Sequence, residues 1–219
     1  MKHVSKKTLE LVQLSILGAI IVILAFTPFI GYIPLGVTKA TIIHIPVIIG
    51  SLLLGPKKGA ILGGLFGLTS LIMNTINPTL TSFTFTPFYS LGEASGNFWS
   101  LVVCFVPRIL VGVVPYFVYK GIKKLFKNSK SGNVVSLSIA GLAGSMTNTL
   151  LVMNMIFVFF KDSYAAAKNI SVSTLYNVIL SVIAINGVPE AILAALLTTV
   201  IVTALVKTKT FEIKEKIKE

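Results

Sequence analysis

The sequence has few charged side chains and only one cysteine. Of its 219 residues, 12% are charged and 54% are hydrophobic, whereas about 25% of the residues of a soluble domain are charged. A soluble core cannot bury this much apolar surface, but a lipid bilayer can. The single cysteine, Cys104, lies in an apolar run, which excludes a disulfide framework and indicates a small hydrophobic packing residue. We therefore predict an integral membrane protein.

Several catalytic and metal-binding patterns are also missing. The sequence contains no GxxxxGK[ST] phosphate-binding loop, no HExxH pair, no GxSxG elbow and no Cys/His cluster. A membrane enzyme that acts on lipid precursors would need acidic or histidine residues clustered at one interface, but the seven acidic residues are scattered. We therefore expect no enzyme activity, no catalytic residue, no metal site and no cofactor.

Apolar stretches of nearly membrane-spanning length recur along the chain. A spanning helix needs about 20 mostly apolar residues. The second and third stretches are shorter, which favours tilted or partly internal helices. The polar and aromatic residues 75–97 form too long a segment for a plain connector, so we expect a functional loop there. The pattern predicts one all-α domain over residues 1–219, a six-helix transmembrane bundle with spans at 9–27, 41–54, 60–74, 98–119, 134–160 and 178–206.

The basic residues are unevenly divided between the two sides of this predicted bundle. Fifteen lysines fall at the chain ends and in the second and fourth connections, and only Lys39, Lys161 and Lys168 fall on the other side. Because cytoplasmic segments carry the excess of basic residues, we predict that both termini are cytoplasmic. This distribution accounts for the net charge of +12 without a nucleic-acid partner.

Two charged residues lie well inside predicted spans, where charges are costly and usually mark a pathway or a binding site. Arg108 follows Pro107, which removes a backbone donor and frees a carbonyl one turn earlier. Glu190 follows Pro189 in a helix that the sequence Asn-Gly-Val-Pro interrupts from residue 186. These two side chains either contact a ligand or form a structural ion pair with each other. His44 is interpreted as a hydrogen-bonded residue at a helix start.

The chain resembles the substrate-binding S components of energy-coupling factor (ECF) vitamin transporters over nearly its whole length. The resemblance rests on the six short spans and on the basic turn Gly-Pro-Lys-Lys-Gly-Ala at residues 55–60. It is similar to the pantothenate-type branch in three further segments, at residues 77–88, 107–112 and 186–191.

The resemblance implies a bacterial plasma-membrane subunit that captures a small water-soluble vitamin, here pantothenate. The subunit then docks on a membrane coupling protein that carries two cytoplasmic ATPase subunits. Docking in the family uses an Ala-xxx-Ala pattern in the first helix, which Ser15 and Ala19 match except for the serine. The implied ligand-binding residues are Arg108, Asn148, Asn186 and Glu190, with Asn74 and Asn77 near the lid.

Other functions remain compatible with the residues. The ligand can instead be another vitamin or precursor, such as riboflavin, folate, a pyridoxine-like compound or a thiamin precursor. A stand-alone secondary transporter is a further alternative, although such proteins normally show an internal repeat and none is evident here.

Overall fold

The computed structural model describes residues 5–27, 32–35, 38–126 and 129–208, with the backbone alone at 32–35, 38–40 and 130. Helices account for 82% of the structure. The helices are α1 (Lys6–Phe26), α2 (His44–Leu54), α3 (Pro56–Ile76), α4 (Phe98–Val111), α5 (Val114–Leu125), α6 (Lys130–Ala167), α7 (Val172–Val182) and α8 (Val188–Lys207).

These helices confirm the prediction of a helical membrane bundle. Within the described ranges, five helical stretches are long and apolar enough to cross a membrane, and α2 is a shorter apolar helix. The lysine-rich tail beyond residue 208 lies outside the described residues. The five stretches are Lys6–Phe26, Pro56–Ile76, Phe98–Leu125, Ser131–Ala167 and Val172–Lys207.

A tight turn reverses the chain between α2 and α3. Gly55 has a φ of 86°, a left-handed conformation that a side chain would strain, and Pro56 starts α3 because its missing N–H is not needed there. All the residues of α2 are buried. The short second span is therefore an internal helix of the bundle.

Glycines bring α3 into backbone contact with α4. A β-carbon at Gly63 would lie 2.2 Å from the carbonyl oxygen of Arg108, and one at Gly59 would lie 2.0 Å from that of Gly112. No side chain fits between helices this close, so glycine is required on the contact face. Residue numbers rise along α3 from Gly59 to Gly63 while those of the contacted residues fall along α4 from Gly112 to Arg108, so the two helices are antiparallel.

The long helix α6 lies between α5, α8 and α2. Asn133 accepts a hydrogen bond of 2.6 Å from the Tyr119 hydroxyl of α5. Farther along, a β-carbon at Gly141 would lie 2.8 Å from the carbonyl oxygen of Ala194, and one at Gly144 would lie 2.8 Å from Ile48 of α2. Second contacts, of Gly144 with Pro115 of α5 and of Ser138 with Thr199 of α8, make α6 antiparallel to α5 and α8. Helix α2 runs in the direction of α4 and α5, since both α2 and α4 are antiparallel to α3, so α6 is antiparallel to α2 as well.

Two predicted spans are each divided in the structure. The span at 98–119 is α4 followed by α5, which are separated at Gly112 and Val113. The span at 178–206 begins in α7 and continues through a π-helical segment, Ile183–Gly187, into α8. The second division falls on the segment that the sequence marks as interrupted.

Short β-hairpins lie at one end of the bundle, which we call the hairpin end. Strands β1 (Tyr32–Leu35) and β2 (Thr38–Thr41) pair just before α2. After α3 come a 3-10 turn (Ser82–Thr84) and the strand pair β3 (Ser90–Leu91) and β4 (Ala94–Ser95). The opposite end carries the Gly55 turn and is called the turn end.

Candidate ligand-binding site

The guanidinium of Arg108 lies inside the bundle and has a defined orientation. Pro107 has no N–H for the carbonyl of Val103 four residues earlier, and Nη1 of Arg108 donates to that oxygen over 2.9 Å. The side chain is 7% exposed, and its guanidinium carbon lies 5.5 Å from the ring centre of Phe66 and 5.0 Å from that of Phe85. The two aromatic contacts are within cation–π range and hold the charge in place.

The carboxylate of Glu190 links α8 to β2, the strand that precedes α2. Its Oε1 accepts a hydrogen bond of 2.7 Å from the backbone N–H of Thr41. Just before it, the N–H of Val188 bonds to the carbonyl of Ile183, five residues back, which is π-helical geometry. Glu190 is 9% exposed, so this acidic group is held inside the hairpin end.

The ion pair between Arg108 and Glu190, one of the two alternatives that the sequence leaves open, is absent among the described residues. Arg108 donates to a backbone carbonyl and Glu190 accepts from a backbone amide, as given above. The ion pair found in that part of the chain joins Lys58 of α3 to Glu10 of α1. The two buried charges of the site are therefore held separately.

Asn148 and Asn186 lie at the same depth on facing helices. A β-carbon at Gly187, next to Asn186, would lie 2.7 Å from the side chain of Thr149, next to Asn148. Both asparagines are partly buried, and the amide oxygen of Asn148 has no hydrogen-bond partner among the described residues. Asn148 thus lies on α6 at the level of the π-helical segment, next to the residue that contacts it.

His44 joins this layer, although the sequence favours a hydrogen-bonded role at a helix start. The ring is 1% exposed, and neither ring nitrogen has a partner among the described residues. That prediction is therefore wrong for the ring. The residue follows Thr41 by three positions, which places it beside the hydrogen bond to Glu190.

The segment from residue 77 to residue 97 is packed onto the bundle. The side chain of Ser82 donates to Asn74 Oδ1 over 2.7 Å, and Ser100 donates to the carbonyl of Phe83 over 2.7 Å. Asn74 thus anchors the segment, while Asn77 ends α3 and is exposed. Among the hydrogen bonds described above, Asn74 bonds to Ser82 and not to Arg108. The residue of this segment that contacts the Arg108 guanidinium is Phe85, through its ring.

Ser15 and Ala19 lie away from this polar layer, on the exposed face of α1. Beside them, an apolar groove of about 370 Å³ runs between α1, α2 and α8. The surface is lined by aliphatic residues, Ile16, Ile20, Ile45 and Ile201 among them. This arrangement suits the packing of apolar helices.

The polar layer has distinct chemistry at its two sides. On the α3–α4 side, a buried cation suits a carboxylate. Toward α2, α6 and α8, a carboxylate, an amide and an imidazole suit hydroxyl and amide groups. The arrangement fits a small polar molecule with one anionic end. Sequence reasoning missed Phe66, because an aromatic residue within a span is an ordinary packing residue unless its neighbours are known. It singled out His44 only as a residue at a helix start, and it placed Phe85 in the expected functional loop without identifying its contact with Arg108.

Comparison with known proteins places this architecture among transport proteins. Residues 9–202 match the family described as "ECF transporter, substrate-specific component". A protein of Lactococcus lactis subsp. cremoris named "Pantothenic acid transporter PanT" is 41% identical over 205 residues, 93% of this chain and 96% of the relative. A protein of Leuconostoc mesenteroides named "Pantothenate transporter PanT" is 28% identical over 207 residues, 92% of this chain and 94% of the relative.

Proposed function

Because this chain belongs to the family of ECF transporter substrate-specific components, we propose that its ligand is pantothenate. The chain is a multi-pass bacterial membrane protein and a vitamin-binding transport subunit rather than an enzyme. The observation that carries the ligand assignment is the 41% identity, over 93% of the chain, to a relative named for pantothenic acid transport. The polar layer supplies independent chemical support.

Pantothenate carries one carboxylate, one amide and two hydroxyl groups. Arg108 neutralises the carboxylate, since a guanidinium offers paired N–H donors to its oxygens. Asn148, Asn186 and Glu190 bind the amide and hydroxyl groups, and Asn74 and Asn77 lie near the segment that closes the ligand site. Burial of Arg108 at 7% exposure supports this role, because a charged residue inside a membrane bundle usually marks a binding site or a pathway.

Transport in this proposal requires partners. We place both termini in the cytoplasm, so the hairpin end faces outward and Lys57 and Lys58 at the turn end face inward. The subunit docks through Ser15 and Ala19 on a membrane coupling protein that carries two cytoplasmic ATPase subunits. Exposure of both residues beside the apolar groove of α1, α2 and α8 supports this surface.

Calorimetry on the full chain in detergent tests the ligand. Pantothenate is expected to bind at least about 100-fold more tightly than riboflavin, folate, pyridoxine or a thiamin precursor, a difference of about 2.7 kcal/mol. Tight binding of another of these vitamins would overturn the pantothenate assignment. Ion-driven uptake of pantothenate by the chain alone in liposomes would instead identify a secondary transporter.

A further inference from the structure

His44 is buried in the polar layer without a described partner for its ring. Its exposure is 1%, and Nδ1 and Nε2 both lie out of contact with water and with the hydrogen-bonding groups of the described residues. A neutral imidazole offers one donor and one acceptor, and buried polar groups nearly always have partners. A hydroxyl group of a ligand can partner either ring nitrogen, because it can donate to the acceptor nitrogen or accept from the donor nitrogen.

Helix packing places His44 opposite Asn148. Gly144 of α6 lies against Ile48 of α2, with a β-carbon position 2.8 Å from the isoleucine side chain. Helices α2 and α6 are antiparallel, so one turn toward the hairpin end leads to His44 on α2 and to Asn148 on α6. Residues four apart share a helix face. The unpartnered imidazole and the unpartnered amide oxygen of Asn148 therefore belong to residues at the same level of two adjacent helices.

A third polar group lies close to His44 along the chain. The backbone N–H of Thr41, the last residue of β2 and three residues before His44, is bonded to Glu190 over 2.7 Å. Glu190 belongs to the first turn of α8, and Gly187 before it packs on Thr149 beside Asn148. His44 thus lies on the part of α2 that is near α6 and the start of α8, whereas the aromatic contacts of Arg108 come from α3 and the segment after it.

Other buried hydroxyls without described partners lie on the same helices. Ser51 is two turns closer to the turn end on α2, and Thr198 and Thr203 are farther along α8 than Ala194. The hydroxyl of Ser145 lies nearer, because Ser145 is one turn before Asn148 on α6.

We infer that His44 contacts the ligand and determines specificity for its hydroxyl groups, whereas Arg108 determines specificity for its carboxylate. This inference rests on the proposed function and assigns opposite ends of the same ligand to the two residues. A site that hydrogen-bonds a hydroxyl rejects an analogue without it, because the buried imidazole is then left unpaired.

The test compares ligands and variants in one cycle. The ligands are pantothenate, its analogue without the hydroxyl groups and panthenol, in which an alcohol replaces the carboxylate. The wild-type chain is expected to bind the dehydroxy analogue about 100-fold more weakly than pantothenate. In His44→Phe this ratio is expected to fall to about 3-fold or less, while the preference for pantothenate over panthenol stays as in the wild type.

Ser51→Ala is the matched control, because it removes another buried unpartnered polar group from the same helix. It is expected to leave both preferences unchanged. If His44→Phe weakens pantothenate and the dehydroxy analogue by the same factor, His44 acts on packing alone and the inference is wrong. Failure of the wild-type chain to bind pantothenate would overturn the proposed function itself, which keeps the two failures distinct.

A measurement on the wild-type chain covers the case in which His44→Phe does not fold. With 15N-labelled histidine, the ring nitrogen resonances of His44 are expected to shift when pantothenate is added and to shift much less with the dehydroxy analogue. Assignment uses His44→Gln, which keeps a donor and an acceptor. Equal shifts with both ligands would overturn the inference.

Discussion

At the scale of single residues, Pro107 and Arg108 work as a pair. The proline deprives the Val103 carbonyl of its helical donor, and the arginine that follows supplies a replacement over 2.9 Å. This bond orients the guanidinium across Phe66 and Phe85. The Pro107–Arg108 pair thus gives the buried Val103 carbonyl a hydrogen-bond donor and holds the Arg108 guanidinium in one orientation.

This pairing predicts how substitutions combine. Arg108→Met is expected to lower the free energy of unfolding by about 1–3 kcal/mol, because it leaves the Val103 carbonyl unpaired. In a Pro107→Ala background the alanine N–H bonds that carbonyl, so the same substitution is expected to cost about 1 kcal/mol less. Denaturant unfolding of the four proteins in detergent measures both differences.

Ligand binding separates the two roles of Arg108. Under the proposed function, Arg108→Met is expected to weaken pantothenate binding in both backgrounds, since neither variant carries the charge. If Arg108→Met lowers stability equally with proline and with alanine at position 107, the hydrogen bond to Val103 does not contribute as described.

The sequence identifies some of these residues for a simple physical reason. Arg108 and Glu190 are charges in apolar runs, and the lipid makes such charges conspicuous. Their partners cannot be found in the same way, because Phe85 reaches Arg108 only through the folding of residues 77–97, and Thr41 reaches Glu190 only through helix packing. Whether the selected asparagines contact ligand stays a prediction.

At the scale of elements, glycines determine how closely helices pack. Gly63 and Gly64 are neighbours on α3 but have opposite surroundings. A β-carbon at Gly63 would lie 2.2 Å from the Arg108 carbonyl, whereas one at Gly64 has no atom within 4 Å. The backbone of α4 cannot yield as a flexible side chain would, so α3 and α4 must separate to accept a methyl group at position 63.

Gly63→Ala is therefore expected to lower the free energy of unfolding by about 1–3 kcal/mol and to weaken ligand binding by displacing Arg108. Gly64→Ala is the matched control and is expected to be neutral or stabilising by up to about 1 kcal/mol, since alanine favours the helix. Thermal unfolding and calorimetry of both variants give the comparison. Similar behaviour of the two would show that the close contact does not limit packing.

Element boundaries show where sequence patterns fail. Apolar composition predicts spans well, because the bilayer requires long apolar helices. It does not separate α4 from α5, since residues 98–119 stay apolar across Gly112 and only the backbone changes direction. The sequence predicts an interruption near the π-helical segment Ile183–Gly187, because Gly187 and Pro189 disrupt regular helical bonding, but it does not predict the π-helical geometry.

At the scale of the whole molecule, the proposed ligand layer and the proposed docking surface are different regions. The polar layer lies where α2, α4, α6 and α8 converge near the hairpin end. Ser15 and Ala19 lie on the exposed face of α1, next to an apolar groove that α2 and α8 complete. Helix α2, which is buried, contributes residues to both regions. It therefore connects the proposed ligand layer to the proposed docking surface.

This separation predicts that transport can be lost without loss of binding. Ala19→Leu is expected to leave pantothenate affinity unchanged, because the residue is exposed and distant from the polar layer. The larger side chain prevents close helix packing on the coupling protein, so ATP-driven uptake is expected to fall by about 10-fold or more. Proteoliposomes that contain the coupling protein and both ATPase subunits, with radiolabelled pantothenate, measure the uptake.

Ala166→Leu provides the control, since Ala166 is also an exposed alanine but lies near the end of α6, away from α1. It is expected to bind and transport as the wild type does. Uptake at the wild-type rate by Ala19→Leu would place the docking surface elsewhere on the bundle. A parallel loss of binding and uptake in Ala19→Leu would mean that the two regions are not independent.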